Sequence, residues 1–218
     1  MDERHMAEII RRLERELTRG ETPIVTLLAE RHRNPFEILI STLLSLRTKD
    51  EVTAAATKRL FSLAETPAAM LRLDPEEIRR TIYPVGFYRR KAETIREVCR
   101  DLIDRFDSRV PATLEELLTL KGVGRKTANL VVSLGYGGAG ICVDTHVHRI
   151  SNRLGYVRTR TPEETEFALR KRLPRRYWIR FNTLLVAFGQ NTCRPLSPLC
   201  STCPIARYCD RVGVTRSR

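Results

Sequence analysis

Apolar residues recur along most of the chain with the period of an α-helix. Between Ala92 and Phe106 they follow the spacing i, i+3, i+4, i+7, which gathers them on one face of a helix. The members of this stripe are Ile95, Val98, Cys99, Leu102, Ile103 and Phe106. The strict alternation of a half-buried strand is scarce, so the pattern predicts an all-α fold with roughly ten helices.

Several helix start signals stand between these apolar segments. Asp74 comes directly before a proline and two glutamates, a combination of capping side chain, first-turn proline and first-turn acids. Thr113 and Glu116 have the spacing of a capping box. Thr161, followed by proline and two glutamates, repeats the first design. We expect helices to begin at these three points.

The glycine-rich segment 135–140 is the clearest interior break, and it marks either a domain boundary or a simple loop. No stretch of about 18 apolar residues is present, so the sequence predicts no transmembrane helix. Residues 1–17 are charged and amphipathic and lack the apolar core of a signal peptide. We therefore expect a cytoplasmic, nucleoid-associated protein of the prokaryotic type that does not contact membranes.

The chain is strongly basic, with a formal net charge of +13 from 39 Lys and Arg against 26 Asp and Glu. Such a charge attracts polyanions and favours nucleic acid as a partner, with a membrane surface or a generally basic proteome as the alternatives. Only six of the basic residues are lysines. Each lysine is therefore a distinctive feature of this chain.

The segment 117–128, LLTLKGVGRKTA, is the most informative part of the sequence. A capped helix is expected to end near Leu120, and Gly122 and Gly124 allow a tight turn before a second helix. The turn presents backbone N–H groups at a helix N-terminus, which suits a DNA phosphate and reads no base sequence. The alternative is an ordinary packing corner between two helices. We expect Lys121, Gly122, Val123, Gly124 and Arg125 to contact DNA.

Lys126 falls in the first turn of the second helix, where the hairpin would bring it a DNA strand. A lysine amine in that place can act as a nucleophile, whereas the alternative is a solvated surface lysine. Asp144, in Val-Asp-Thr-His, follows the glycine-rich break. It is expected either to cap the next helix or to assist the amine and stabilise positive charge on a sugar. For His146 and His148 we expect structural or DNA-contacting roles.

Four of the six cysteines, Cys193, Cys200, Cys203 and Cys209, form the pattern C-x6-C-x2-C-x5-C. Clustered cysteines in a cytosolic protein indicate a metal site rather than disulfides. Zinc and a [4Fe–4S] cluster both remain possible, although zinc more often takes two CxxC pairs. Arg194 and Arg207 lie within this loop, where they would contact phosphates. Cys99 and Cys142 are expected in the core.

LKGVGRKTANLVV, then VDTH, then this cysteine pattern together resemble the endonuclease III family of helix–hairpin–helix DNA glycosylases, from about Ile24 to Cys209. The resemblance implies a two-lobed all-α fold. Residues 27–137 would form a six-helix barrel, and residues 1–26 with 138–218 would form a domain holding a [4Fe–4S] cluster. It also implies a monomer that binds double-stranded DNA containing damaged pyrimidines or abasic sites.

The family's catalytic lysine and aspartate fall on Lys126 and Asp144. The implied activity is that of a bifunctional DNA glycosylase and abasic-site lyase in base excision repair, which removes oxidised pyrimidines from duplex DNA. In that mechanism the lysine expels the base, forms a Schiff base and promotes β-elimination 3′ to the abasic site. The damaged nucleotide must first be flipped out of the stack.

Arg47 and Phe87 fall on the family positions that fill the gap left by the flipped base. The family more often has Gln and Leu there, and Lys121 replaces a common proline. Arg47 can still hydrogen-bond the orphaned base and Phe87 can still stack, while the alternatives are an arginine on a helix surface and a core phenylalanine.

Two other functions compete with this interpretation. A monofunctional mismatch glycosylase would look similar, but those relatives generally lack the lysine found here at Lys126. A non-catalytic DNA-binding module would use the hairpin and the metal loop for attachment alone, and it would need neither Lys126 nor Asp144.

Overall fold

The computed structural model describes residues 3–17, 25–26 and 34–218, and within these ranges the regular structure is helical, with no β-strand. The predicted all-α class is confirmed. The α-helices are α1 Glu3–Leu17, α2 Pro35–Ser45, α3 Asp50–Leu63, α4 Pro67–Arg72, α5 Pro75–Ile82, α6 Tyr88–Phe106, α7 Leu114–Leu117, α8 Arg125–Leu130, α9 Thr145–Arg153, α10 Pro162–Arg172 and α11 Trp178–Asn191. A π-helical turn, Val131–Gly135, continues α8.

The chain divides into two compact units, Ile24–Gly140 and Met1–Pro23 with Ile141–Arg218. The division at Gly140 falls at the end of the glycine-rich segment. Residues 27–33, at the expected start of the barrel domain, lie outside the described residues.

The unit Ile24–Gly140, called the hairpin unit below, has its own apolar core. Helix α6 is its longest helix, and α2, α4 and α5 pack against it. The apolar stripe predicted for Ala92 to Phe106 is confirmed, because Ile95, Val98, Cys99 and Leu102 are fully buried. The helix begins four residues earlier than the stripe, at Tyr88.

The second unit, called the cysteine unit, has a separate core in which α11 packs against α1 and α9. Met6, Ile9 and Leu13 place the apolar face of α1 in this core, and Phe181 is buried opposite on α11. The amphipathic N-terminal helix is therefore a core element of the unit that holds the four clustered cysteines.

The three predicted helix starts are confirmed. Asp74 Oδ1 accepts a hydrogen bond from the Glu76 amide at 2.8 Å. Thr113 and Thr161 each accept an amide three residues on, at 3.3 and 3.1 Å. These caps satisfy amides that a helix leaves without internal partners.

Two expectations about ends differ from the structure. Helix α7 ends at Leu117 rather than near Leu120, because the chain then tightens into i to i+3 turns, with the Leu120 amide bonded to the Leu117 carbonyl. The basic composition of residues 213–218 favours a frayed tail, yet Arg218 pairs with the cysteine loop. Its amide donates to the Pro198 carbonyl and its carbonyl accepts from Ser201, at 2.9 and 2.8 Å.

Among the residues described, no helix combines the length and apolar character needed to cross a membrane.

Candidate functional site

The two glycines of the hairpin turn differ in what they do. Gly122 has φ of 79°, and a Cβ there would lie 2.5 Å from Thr94 Cγ2 on α6. Glycine is needed at this point both for the left-handed conformation and for the close approach of α6. Gly124 has φ of −94°, and no atom lies within 4 Å of a Cβ built there. Neither backbone conformation nor packing within the protein requires glycine at Gly124.

The open space at Gly124 lies where α8 begins. The first intrahelical hydrogen bond runs from the Ala128 amide to the Gly124 carbonyl at 3.0 Å, so the amides of residues 125–127 precede the first helical acceptor. An anion approaching these amides meets no side chain at position 124. Val123 was expected to contact DNA, but its side chain is buried and its amide donates to the Leu120 carbonyl at 3.1 Å. Val123 therefore stabilises the turn from within the protein.

Lys126 is the second residue of α8 and is half-buried. Behind it, Thr127, Ala128 and Asn129 are buried, and Ser133 in the π-helical turn donates a hydrogen bond to the Asn129 carbonyl at 2.7 Å. These buried neighbours and this hydrogen bond therefore hold the backbone of Lys126 in place.

The other charged residues of the hairpin are Arg125 and Lys121, which differ in their exposure. Arg125 is half-buried at the first position of α8. Lys121 is exposed, and its Nζ lies 2.5 Å from Glu97 Oε1 on α6. The charge that Lys121 brings to the turn is thus partly balanced by a carboxylate.

Asp144, in the cysteine unit, caps α9. Its Oδ1 accepts hydrogen bonds from the amides of His146 and Val147 at 2.8 and 2.9 Å. The capping role expected as one alternative is confirmed, and it leaves a half-buried carboxylate in a fixed orientation. The preceding residues Ile141 to Val143 are buried and anchor this turn.

The two histidines near Asp144 take part in local hydrogen bonds. His146 Nδ1 lies 3.1 Å from the Arg149 guanidinium, and His148 Nδ1 lies 2.7 Å from Thr165 Oγ1. Burial lowers the pKa of His148. These contacts agree with a structural role for both side chains.

The four clustered cysteines line one pocket in the cysteine unit. Apolar side chains, including Ile150, Phe188 and Ile205, line the same pocket. Burial raises the pKa of Cys203 to about 11, so its thiolate needs a compensating cation. Within the described part of the chain, no three Cys, His, Asp or Glu side chains converge closely enough to hold one metal ion.

The four cysteines give this pocket a set of four thiol donors, which is the set that an iron–sulfur cluster or a structural zinc ion requires. The donor set therefore fits an iron–sulfur cluster.

Arg153 on α9 holds the cysteine loop, a residue that the sequence analysis did not single out. Its guanidinium donates to the carbonyls of Arg194 and Pro195, both at 2.7 Å, and lies 3.4 Å from Cys193 Sγ. Arg149, one turn earlier, donates to the Cys193 carbonyl at 2.8 Å. Two helix arginines thus set the path of the loop.

The two loop arginines expected to contact DNA are both exposed. Arg194 donates to the Asn191 carbonyl at 3.1 Å. Arg207 stacks on the ring of Tyr208, with 4.6 Å between guanidinium carbon and ring centre, and lies 3.8 Å from Glu8 on α1. Arg207 is therefore partly neutralised within its own unit.

Arg47 and Phe87 lie together in the hairpin unit. The Arg47 guanidinium carbon is 5.6 Å from the centre of the Phe87 ring, and the Phe87 side chain is 61% exposed. Both residues adopt left-handed backbone conformations, with φ of 54° and 59°. Such a conformation costs a non-glycine residue about 1–2 kcal/mol. Neither the core position considered for Phe87 nor a regular helix position for Arg47 is observed.

Lys91 is a further residue that the sequence analysis missed, and it lies beside this pair. It is buried, and its Nζ donates to the carbonyls of Leu44 and Leu46 at 2.8 and 2.5 Å. One signal was available in the sequence, because Lys91 precedes Ile95 by four residues and Val98 by seven on the apolar stripe of α6.

Comparisons with known proteins agree with these features. The family of HhH-GPD superfamily base excision DNA repair proteins matches residues 40–175. Endonuclease III of Thermotoga maritima is 51% identical over 177 residues, which cover 81% of this chain and 83% of that protein. A chloroplastic endonuclease III homolog of Arabidopsis thaliana is 48% identical over 80% of the chain, which spans about half (47%) of that relative.

A similar solved structure is a trapped covalent intermediate of endonuclease III with DNA, an estranged-adenine complex. It has a TM-score of 0.85 and 35% sequence identity, and the match covers 97% of both chains.

Proposed function

The chain belongs to the endonuclease III family within the HhH-GPD superfamily of base excision DNA repair proteins, and we propose that its nucleophile is Lys126. It is a DNA glycosylase and abasic-site lyase of base excision repair that acts on damaged pyrimidines. We propose further that the substrates are oxidised pyrimidines in duplex DNA and that the protein works as a monomer.

The observation that carries this proposal is the form of the hairpin. Neither the backbone conformation nor packing within the protein requires glycine at Gly124, which leaves open space at the start of α8. Lys126 follows two residues later. A phosphate bound to the amides of residues 125–127 would hold the DNA backbone beside that lysine. The similar endonuclease III structure that contains a covalent DNA intermediate supports nucleophilic chemistry of this kind.

The reaction follows from the groups involved. The neutral amine of Lys126 attacks C1′ of the flipped nucleotide, and the bond between C1′ and the base breaks, with the base leaving as an anion that is then protonated. Opening of the sugar ring gives a Schiff base between Nζ and C1′. Loss of a proton from C2′ then expels the 3′ phosphate by β-elimination, and water releases the lysine.

Asp144 is proposed to stabilise the positive charge that develops on the sugar and to assist proton transfer to and from Lys126. Two amides at the start of α9 fix its carboxylate before substrate binds. A charged group that is already oriented needs no costly rearrangement in the transition state.

Cys193, Cys200, Cys203 and Cys209 are proposed to hold a [4Fe–4S] cluster. The family membership and the position of the four thiols around one pocket support this assignment. When bound, the cluster supplies four metal–thiolate links that staple the loop between residues 193 and 209. The chain's own contribution is to present Arg194 on that loop, where it can contact a phosphate.

The test of the cluster is elemental analysis of the purified protein together with its absorption spectrum. We expect about four iron atoms per chain and a broad absorbance at about 400 nm. A colourless, folded protein with one zinc would contradict the cluster and leave the glycosylase proposal standing.

The test of Lys126 is borohydride trapping on a duplex with one thymine glycol, comparing the wild type with Lys126→Ala. We expect a covalent adduct with the wild type and none with Lys126→Ala, while DNA binding is retained. Lys58→Ala is a matched control, because Lys58 is an exposed lysine on α3.

The other outcomes are equally informative. Alkali-labile abasic sites without an adduct would mean a monofunctional glycosylase. An equal loss of binding and trapping in Lys126→Ala would make Lys126 a phosphate contact rather than the nucleophile.

A further inference from the structure

Lys91 carries a buried charge that the proposed reaction does not use. Only 8% of the residue is exposed, and the ammonium group has three oxygen acceptors. They are the carbonyls of Leu44 and Leu46, at 2.8 and 2.5 Å, and Thr48 Oγ1 at 3.2 Å. Burial lowers the pKa of Lys91 to about 8, whereas the three acceptors favour the charged form. A neutral amine has two N–H donors, so only the ammonium form donates to all three oxygens.

The acceptors of Lys91 all belong to one short stretch. Helix α2 ends at Ser45, so the carbonyls of Leu44 and Leu46 lie at its C-terminal end, where helical carbonyls need outside donors. The Leu46 carbonyl is in the peptide bond that joins Leu46 to Arg47. By fixing that peptide, Lys91 fixes the direction in which Arg47 leaves the helix.

The same network reaches Phe87 through its neighbour. Thr48 Oγ1, which accepts from Lys91, also accepts the Gly86 amide at 3.1 Å. A Cβ on Gly86 would lie 2.5 Å from the Arg47 carbonyl oxygen, so the two loops touch through their backbones. Lys91 and Thr48 therefore join the loop that bears Arg47 to the loop that bears Phe87.

Arg47 and Phe87 need such support. Each holds a left-handed backbone conformation and an exposed side chain, and the Arg47 guanidinium lies over the Phe87 ring. A strained conformation persists only where the surrounding structure determines it. An apolar residue at position 91 would suit the stripe of α6, but it would supply no donors to the three oxygens.

We infer that Lys91 is a positioning residue, whose buried ammonium group holds Arg47 and Phe87 in the arrangement that fills the gap left by the flipped base. This inference rests on the proposed function, in which those two side chains enter duplex DNA. Lys91 itself touches neither the substrate nor Lys126 in this scheme. Its effect should therefore be confined to substrates that have an opposite strand.

The experiment compares single-turnover rates on two substrates. One is a duplex with a single thymine glycol, and the other is a single-stranded oligonucleotide with one abasic site, which has no opposing base and no gap to fill. Lys91→Met removes the donors, Lys91→Arg keeps a charged donor, and Thr48→Val removes the hydroxyl that links the two loops.

Arg96→Met is the matched control. Arg96 lies on the same helix and donates to the Leu71 and Leu73 carbonyls at 3.1 and 2.7 Å, so it too ties a cation to the end of a short helix. The carbonyls that it binds lie at the C-terminal end of α4, and neither belongs to the loops that bear Arg47 and Phe87. Its loss should cost stability without a change specific to duplex DNA.

We expect Lys91→Met to lose about tenfold in duplex rate, a usual size for residues that share a hydrogen-bond network. Its rate on the single-stranded abasic substrate should stay within about twofold of wild type. Lys91→Arg should recover part of the duplex rate. Thr48→Val should show a smaller loss in the same direction, and it serves as the test if Lys91→Met does not fold.

A second measurement combines Lys91→Met with Phe87→Ala. If Lys91 acts through the pair, the loss caused by Lys91→Met on the duplex should be smaller in the Phe87→Ala background than in the wild type, because part of its effect passes through Phe87. Equal losses on both substrates, or additive effects with Phe87→Ala, would overturn the inference and make Lys91 a stability residue. Failure of the wild type to form a borohydride adduct on the single-stranded substrate would instead overturn the proposed function, and the inference with it.

Discussion

Two parts of the hairpin unit bend the chain into left-handed conformations, and they do so at different cost. In the hairpin turn the left-handed residue is Gly122, for which φ of 79° carries no steric penalty. The second part consists of Arg47 and Phe87, the gap-filling pair, which are proposed to fill the gap left by the flipped base. Both residues bear the steric cost of a left-handed conformation and have exposed side chains. The comparison supports the proposal that the hairpin binds DNA through its backbone, whereas Arg47 and Phe87 enter DNA through their side chains.

Helix α6 supports both parts. Thr94 contacts Gly122, and Glu97 pairs with Lys121 in the hairpin turn, while Lys91 binds the loop of Arg47. These three residues follow one another at intervals of three, so they lie along one side of the helix. One long helix therefore positions the backbone site and the side-chain site together.

The largest effect on stability is expected for Gly122→Ala. The new Cβ would meet Thr94 and hold a left-handed conformation, so the free energy of unfolding should fall by about 2–3 kcal/mol. Chemical denaturation with urea measures this change. An unchanged midpoint would show that the turn relaxes easily, and the contrast with Arg47 and Phe87 would then lose its basis.

The neighbouring change Gly124→Thr should leave stability within about 0.5 kcal/mol, since threonine and glycine cap helices about equally well. Its side chain would occupy the open space at the start of α8. We expect DNA affinity to fall about tenfold, the size of one lost charge-assisted contact, as measured by fluorescence anisotropy at fixed salt. Unchanged affinity would mean that phosphates do not approach the hairpin there.

The buried amine of Lys91 should affect how the free energy of unfolding depends on pH. The pKa of Lys91 is about 8 in the folded protein and 10.5 in an unfolded chain, so between these values the unfolded state binds more protons. The Lys91 contribution to the free energy of unfolding should therefore rise with pH across this window, by no more than about 1.4 kcal/mol per unit. Subtracting the pH profile of Lys91→Met isolates this contribution, and a flat difference would contradict the lowered pKa of Lys91.

The smallest effect is expected for Phe87→Gly, in which stability and activity should change in opposite directions. Removing the side chain relieves the left-handed strain, so the free energy of unfolding should rise by about 0.5–1 kcal/mol. The duplex rate should fall, because the ring is lost from the gap. A variant that is both less stable and fully active would show that Phe87 belongs to the fold rather than to DNA binding.

The local features of this protein were predictable because local chemistry decides them. Asp74, Thr113 and Thr161 cap helices through side chains two or three residues from the amides they bind. The stripe of α6 is equally local, since its period alone determines which residues face the core. The motif around Gly122 and Lys126 was recognisable for the same reason.

Features that depend on residues far apart in the sequence were not predictable. Lys91 meets Leu44 and Leu46 across more than 40 positions, and Arg153 holds a loop about 40 residues later. The position of Lys91 on the apolar stripe of α6 predicts only that a charged group is buried there. Which oxygens receive its hydrogen bonds depends on how the helices pack.

The sequence alone determined the helical class, the helix starts and the set of residues capable of the chemistry, because spacing and side-chain type suffice for each of these. Only the tertiary structure decided that Gly124 is open while Gly122 is packed, that Arg47 and Phe87 hold strained conformations, and that Lys91 binds the carbonyls of Leu44 and Leu46. The reason is that burial, strain and hydrogen-bond partners are properties of the space around a residue, which packing between distant segments creates.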